Sequence, residues 1–254
     1  MLQTMLSVII PAYNEAALID KTMREAHAVI GGAMPFEIIV IDDGSDDGLA
    51  EVAEKTAAAL GQCRVIRHPD RAGKSSALRT GALAARGRWI AMMDGDGQND
   101  PAYLIAMANE INLAKVERVG LVAGNRKSRH DGQSRKLASR FANGLRRRLL
   151  NDDCPDTACG LKIISRDLFL AMPFFDALHR FLPAFANHLG YDVVNVPVND
   201  RPRDAGHSKY SNIGRATAGF FDLMGVIWLM RRAHIPSADF IRSEFMIREF
   251  DDAG

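Results

Sequence analysis

In the stretch WIAMMDGDGQNDP (residues 89–101) an apolar run gives way to Asp94, Asp96, Gln98 and Asp100. Carboxylates and a side-chain amide are hard oxygen ligands, so the cluster could serve as a calcium loop, a solvated turn, or a metal site that holds a phosphorylated substrate. Asp94, Asp96 and Gln98 match the first ligand positions of an EF-hand, but the glycine required next is Asn99, and the position of the bidentate acid is Ile105. A plain turn does not need two acids directly after a buried strand, where their repulsion raises the cost of ionising both. A divalent cation removes that repulsion. The ligand types suit Mg²⁺ or Mn²⁺, completed by phosphate oxygens and water.

Other motifs fall short. RAGKSSALRTG (residues 71–81) contains half of a P-loop, but the glycine expected five residues before Gly73 is His68, and the segment follows HPD rather than a strand. A Gly-preceded, Ser-rich helix start near a phosphate stays open beside simple capping. No Gly-x-Gly-x-x-Gly supports a dinucleotide site, and no Gly-x-Ser-x-Gly elbow marks a nucleophile. Cys63, Cys154 and Cys159 form neither a disulfide framework nor a zinc site and read as thiols in a reducing compartment.

The elements that must position the acids follow from periodicity. LSVIIPAY (6–13), FEIIVIDD (36–43), CRVIRH (63–68), RWIAMMD (88–94) and RVGLVAG (118–124) read as strands. Between them, helical spacing covers 16–30, 47–60 and 74–85, and Pro101 opens another helix. Strands alternating with helices imply an α/β fold: a Rossmann-like, mostly parallel sheet with helices on both faces. Asp42-Asp43 and Asp94-Asp96 then both lie at the carboxyl ends of strands, where such sheets take ligands. VVNVPVNDRP (193–202) is a later strand, leading into the basic loop RPRDAGHSKYS (201–211) and a helix over 212–232. With 254 residues, 47% hydrophobic and 25% charged, the chain can bury a sizeable core, and a net charge of +1 makes it no nucleic-acid binder. There is no basic, apolar leader at the N-terminus and no apolar run of transmembrane length.

IIPAYNEA (9–16), IDDGSDDG (41–48), MDGDGQNDP (93–101), DTACGLKIISRDLF (156–169), HRFLPAF (179–185) and RPRDAGHSKYS (201–211) occur in that order. Together they strongly resemble glycosyltransferase family 2, and within it the dolichyl-phosphate mannosyltransferase-like branch that uses polyprenyl phosphate acceptors. The resemblance covers roughly residues 6–232. It implies a GT-A fold and a nucleotide-sugar donor, GDP-mannose favoured and UDP-sugars an alternative. It assigns Pro11, Tyr13 and Glu15 to the base and ribose side, Asp43 to the base, Asp94 to the ribose or diphosphate side, and Asp96 and Gln98 to the metal.

A lipid phosphate is already anionic and can attack without a general base, provided cations bind and align it. By the same resemblance Arg126, Arg201, His207 and Lys209 suit that work, with Asp94, Asp96 and Arg126 the catalytic set. The absence of Gln-x-x-Arg-Trp disfavours a processive synthase. A hydroxyl acceptor would need a base, for which Asp156 is the candidate, and a non-catalytic nucleotide-sugar-binding subunit is the third reading. The expected organisation is a catalytic domain over 1–211, including a basic amphipathic segment at 134–150, followed by an interfacial helix and charged tail over 212–254. Leu137, Phe141, Leu145 and Leu149 recur every four residues beside Arg-rich flanks. That pattern implies amphipathic membrane-surface helices, cytoplasmic and peripheral on the inner face of the membrane, and leaves room for a membrane-protein partner.

Overall fold

A computed structural model describes residues 6–113, 119–126, 144, 146–150, 152, 154–201 and 212–233. Seven strands are present among them: β1 Leu6–Ala12, β2 Phe36–Asp42, β3 Cys63–Arg67, β4 Trp89–Met92, β5 Val119–Arg126, β6 Lys162–Ser165 and β7 Asp192–Val198. The helices are α1 Ala16–Gly31, α2 Leu49–Leu60, α3 Lys74–Ala84, α4 Ala102–Leu113, α5 Arg166–Ala171, α6 Leu182–His188 and α7 Asn212–Arg232, with a 3₁₀ turn at Leu178–Arg180. The strands form one sheet in the order β3-β2-β1-β4-β6-β5-β7.

Alternation along β1 divides the core. Val8 and Ile10 face α1, α2 and α4 in one layer, packed with Ile19, Met23, Leu49, Ala53 and Leu104. Ile9, with Ile39 and Ile90 beside it, faces the other layer, with Leu78, Leu168, Leu182, Phe185 and Val226 from α3, α5, α6 and α7. Both faces are therefore covered, and the central strands read as continuous apolar runs because neither face meets water. One side chain joins the starts of two helices: Asp47 accepts from the Leu49 N–H of α2 and the Ala16 N–H of α1. These are two of the amide donors that a helix start leaves unpaired.

β1 pairs with β2 on one side and β4 on the other, both parallel. The order of the chain around the sheet reverses there, so the crevice beyond the carboxyl ends of β1 and β4 is a topological switch point. The sheet is not wholly parallel. β6 lies antiparallel between β4 and β5, pairing Met92 and Ala123 with Lys162. Four residues with both faces buried carry no alternation, so KIIS gives no strand signal of its own.

The amphipathic reading of 134–150 changes where it can be tested. Residues 134–143 and Leu145 lie outside the described residues, but the helical residues that follow do not present a purely basic outer face. Arg146 is buried, donating to the Thr157 hydroxyl, to Asp152 Oδ1 at 3.1 Å and to the Cys154 carbonyl at 2.7 Å, while Leu149 is 48% exposed. Three inward acceptors hold the arginine, a pattern that helical spacing alone does not reveal. Replacing Arg146 by Leu leaves Asp152, 2% exposed, without its cation. Urea denaturation is expected to register a loss of about 3 kcal/mol for Arg146→Leu, and a smaller loss when Asp152→Asn is added.

Candidate active site

At the switch point the strand ends open into a cleft of about 290 Å³. Pro11, Tyr13 and Glu15 come from the end of β1, Asp43 from the end of β2, Arg71, Gly73 and Lys74 from the loop into α3, and Asp94, Gly95 and Asp96 from the end of β4. Four acids thus face two cations. Glycine makes the crowding possible: a Cβ on Gly95 would stand 2.5 Å from Glu15 Oε2, and one on Gly160 would stand 2.5 Å from Asp94 Oδ2.

Each acid is held differently. Asp94 is ion-paired with the Lys74 ammonium, and its own N–H donates to Asn99 Oδ1 at 2.9 Å. Burial works against its ionised form, but the charge and hydrogen bond of Lys74 outweigh that and hold the carboxyl below the usual carboxylate range. Asp96 is buried and accepts from the Gln98 N–H. Asp43 turns inward: its oxygens accept from the Ala72 N–H at 2.9 Å and the Gly73 N–H at 2.8 Å, and His68 Nδ1 lies 2.9 Å away. It fixes the loop that carries Lys74. Arg71 lies over the Tyr13 ring, 4.3 Å from its centre.

A second network flanks the cleft. Arg126, at the end of β5, is clasped by both oxygens of Asp156 at 2.6 and 3.0 Å and by Asp200 at 2.9 Å. Burial opposes its charge, and these carboxylates more than compensate, raising its pKa. Beyond β7, Arg201 donates to Glu25 and pairs with Asp100 at 3.1 Å. Its N–H meets the Gln98 carbonyl at 2.9 Å, and the Gln98 side-chain amide donates back to the Arg201 carbonyl at 3.3 Å. The base of the basic loop is therefore tied to the acidic turn.

Residues 7–171 match the family described as glycosyl transferase family 2. The chain belongs to glycosyltransferase family 2. It is 32% identical over 231 residues to a dodecaprenyl-phosphate galacturonate synthase of Rhizobium johnstonii, covering 89% of this chain and 67% of that one. It is 32% identical over 207 residues to an undecaprenyl-phosphate 4-deoxy-4-formamido-L-arabinose transferase of Sodalis glossinidius, covering 81% of this chain and 62% of that one. The chain thus spans about two thirds of the length of these relatives. Among solved structures, the mannosyltransferase PcManGT of Pyrobaculum calidifontis, in complex with GDP-Man and Mn²⁺, superposes with a TM-score of 0.67 at 19% identity, covering 93% of this chain and 67% of that one. The fold is GT-A.

The glycosyltransferase brings Pro11, Tyr13, Glu15, Asp43, Asp94 and Asp96 to one cleft. Gln98 is not in its lining and instead braces Arg201. Arg126 and Arg201 are each engaged by two carboxylates, and His207 and Lys209 lie outside the described residues. Among the described residues no three His, Cys, Asp or Glu side chains could hold a metal ion by themselves. Asp94 and Asp96 supply the hard oxygens that Mg²⁺ or Mn²⁺ prefers, and the glycines leave the room, so the residues fit an ion completed by diphosphate and water.

Sequence reasoning passed over three groups behind the cleft, two of them buried and His179 half-buried. Lys162 donates to the Thr157 and Cys159 carbonyls, wrapping the DTACG turn around one ammonium. His179 sits 2.9 Å from the Ser75 hydroxyl at the start of α3. Asn99 links Asp94 to Asp200. The motifs DTACGLK, HRFLPAF and GDGQNDP contained these residues, and only the fold gives their partners.

Burial pushes the His179 imidazole down to about 3 from 6.5, helped by the charges of Lys74, Lys162 and Arg180. An unfolded histidine takes up its proton near 6.5 and the folded one only near 3, so in that window the unfolded chain binds the extra proton and stability falls as pH falls. Between pH 7 and pH 5 this is worth up to about 2 kcal/mol. Urea midpoints at the two pH values are expected to drop more for the wild type than for His179→Gln, which cannot take up that proton.

Proposed function

We propose that this family 2 enzyme transfers one hexose-type sugar from a nucleoside diphosphate to a polyprenyl phosphate, with inversion. The observation that carries the reading is that the two relatives, whose names differ in the sugar, share a polyprenyl phosphate in those names. GDP-mannose is the first donor to test, by resemblance and by the GDP-Man-bound neighbour. The relatives' sugars extend the test to UDP-linked sugars, a uronate included.

In this reading Tyr13 and Glu15 flank the nucleoside and Asp94 and Asp96 face the donor's diphosphate end. Asp94 and Asp96 would hold Mg²⁺ or Mn²⁺ there, while Gln98 stays on Arg201. When bound, the cation would neutralise charge gathering on the departing diphosphate. An acceptor phosphate oxygen forms the new bond to the anomeric carbon as the bond to the donor's β-phosphate oxygen breaks. The nucleoside diphosphate leaves with the electron pair, and a single displacement inverts the centre. No proton has to be removed from the acceptor. Arg126, together with His207 and Lys209, would align the acceptor once Asp200 yields its place. A hydroxyl acceptor would need Asp156 as base, yet both of its oxygens are occupied by Arg126.

The lipid acceptor calls for a surface that meets a membrane. On α7, Phe220, Phe221, Met224 and Trp228 are exposed, the last at 64%, and Arg231 and Arg232 follow. No described helix is long and apolar enough to cross a membrane. Peripheral docking on anionic lipid at the cytoplasmic face fits an aromatic stripe ending in cations.

Labelled sugar from GDP- and UDP-linked donors is expected to appear in a polyprenyl phosphate product only with Mg²⁺ or Mn²⁺. Asp96→Ala should lower that rate at least 100-fold while its melting temperature stays within a few degrees. Nucleotide-sugar binding without any turnover in the wild type would favour the non-catalytic reading. In a separate assay the protein is expected to sediment with anionic vesicles at low salt, and Phe221→Glu/Trp228→Glu to remain in the supernatant. Equal sedimentation of both would remove α7 from the membrane contact.

A further inference from the structure

Resemblance favours GDP-mannose as the donor, but the hydrogen bonds around Asp43 favour a different base. We propose that His68 sets the choice of donor base by occupying one oxygen of Asp43. The cleft then takes a nucleoside diphosphate whose base offers a single ring N–H, uracil or thymine, in preference to guanine. The proposal rests on the nucleotide-sugar reading of the cleft, with Asp43 on the base side. His68 is a positioning residue in it, acting through the acid and not on the substrate.

A carboxylate has about two acceptor positions on each oxygen. On Asp43 most of them are already taken. Oδ1 accepts from the Ala72 N–H at 2.9 Å and from His68 Nδ1 at 2.9 Å, and Oδ2 accepts from the Gly73 N–H at 2.8 Å. What is left is one position, on Oδ2 of an acid that lines the cleft. The donors that fill the others are fixed in place. The backbone N–H of His68 donates to the Asp42 carbonyl at 2.8 Å, and Nε2 lies 2.9 Å from the Thr80 hydroxyl of α3. The imidazole is thus held by both of its nitrogens. Gly73 holds φ +92, and Gly44, at φ +73, lies so close to the same loop that a Cβ there would stand 2.7 Å from the Arg71 nitrogen.

The bases differ in what they ask of such an acid. Guanine presents N1–H and N2–H side by side, a pair that a carboxylate meets through both oxygens at once. Uracil and thymine present one N–H between two carbonyls. A single remaining acceptor position satisfies that edge in full, whereas guanine is left with a donor unmet. A polar group without a partner inside a site is what separates related ligands most strongly. Were His68 absent, Oδ1 would regain a position and the acid could take both guanine donors.

Calorimetric titration with UDP, dTDP and GDP in the presence of Mn²⁺ reads the choice without turnover. The wild type is expected to bind UDP or dTDP at least tenfold tighter than GDP, and the two pyrimidine arms show which of them is taken. In His68→Leu the affinity for GDP should rise and the preference fall below about threefold. His68→Asn places an amide N–H where Nδ1 stands and should keep the preference. His68→Gln keeps a polar group at Thr80 but not at Asp43, and gives the same reading as the Leu variant if that one fails to fold. A merely structural histidine would weaken all three nucleotides together and leave their ratio unchanged. That result in folded His68→Leu or His68→Gln would overturn the role of His68. GDP bound as tightly as the pyrimidine nucleotides by the wild type would overturn the base choice while leaving the cleft's assignment standing. If the wild type binds none of the three, the nucleotide-sugar reading of the cleft fails, and this proposal with it.

Discussion

A carboxylate at the end of a buried strand must be charged against something nearby, and the Asp94–Lys74 ion pair meets that demand. Asp94 follows β4 at the switch point, where packing leaves its side chain 32% exposed. An unpaired charge there would cost several kcal/mol. The structure invests heavily in bringing Lys74 to it. Asp43 gives up its oxygens to the preceding loop, Gly160 gives up its side chain, and α3 is braced through Ser75. The acid and the cation come from residues 20 apart in sequence, joined only by the sheet.

The same economy governs the other side of the cleft. Arg126 gathers Asp156 and Asp200, Asn99 joins Asp200 to Asp94, and Gln98 and Arg201 exchange hydrogen bonds in both directions. The acidic turn after β4, the DTACG turn before β6 and the chain leaving β7 therefore form one polar network. Members of such a network cannot shift singly without leaving a buried group unpaired.

The antiparallel β6 is what makes the network close. It runs against β4 and β5 at once, which returns the chain so that Gly160 touches Asp94 and Lys162 lies beneath both. Were β6 parallel at the same place in the sheet, residues 156–162 would lie at the amino ends of β4 and β5, away from the acids. The family's fold thus supplies more than a shelf for strand ends. It brings a reversed strand to the place where the acids need support.

The sequence alone determined the α/β class, the strand ends that bear Asp43, Asp94 and Asp96, and the family. These depend on local period, on where apolar runs stop, and on ordered motifs, all of which are written along the chain. Pro11, at the end of the first strand, and Tyr13 and Glu15, just past it, line the same cleft as those acids. Tertiary structure alone decided that β6 is antiparallel, that Arg146 points inward, that Asp43 holds a loop, and that Lys74, rather than solvent, faces Asp94. Each of these is a choice of partner across a long stretch of chain. A side chain's type and its neighbours in sequence set what it can bond to, but the partner itself exists only once the sheet has brought distant segments together.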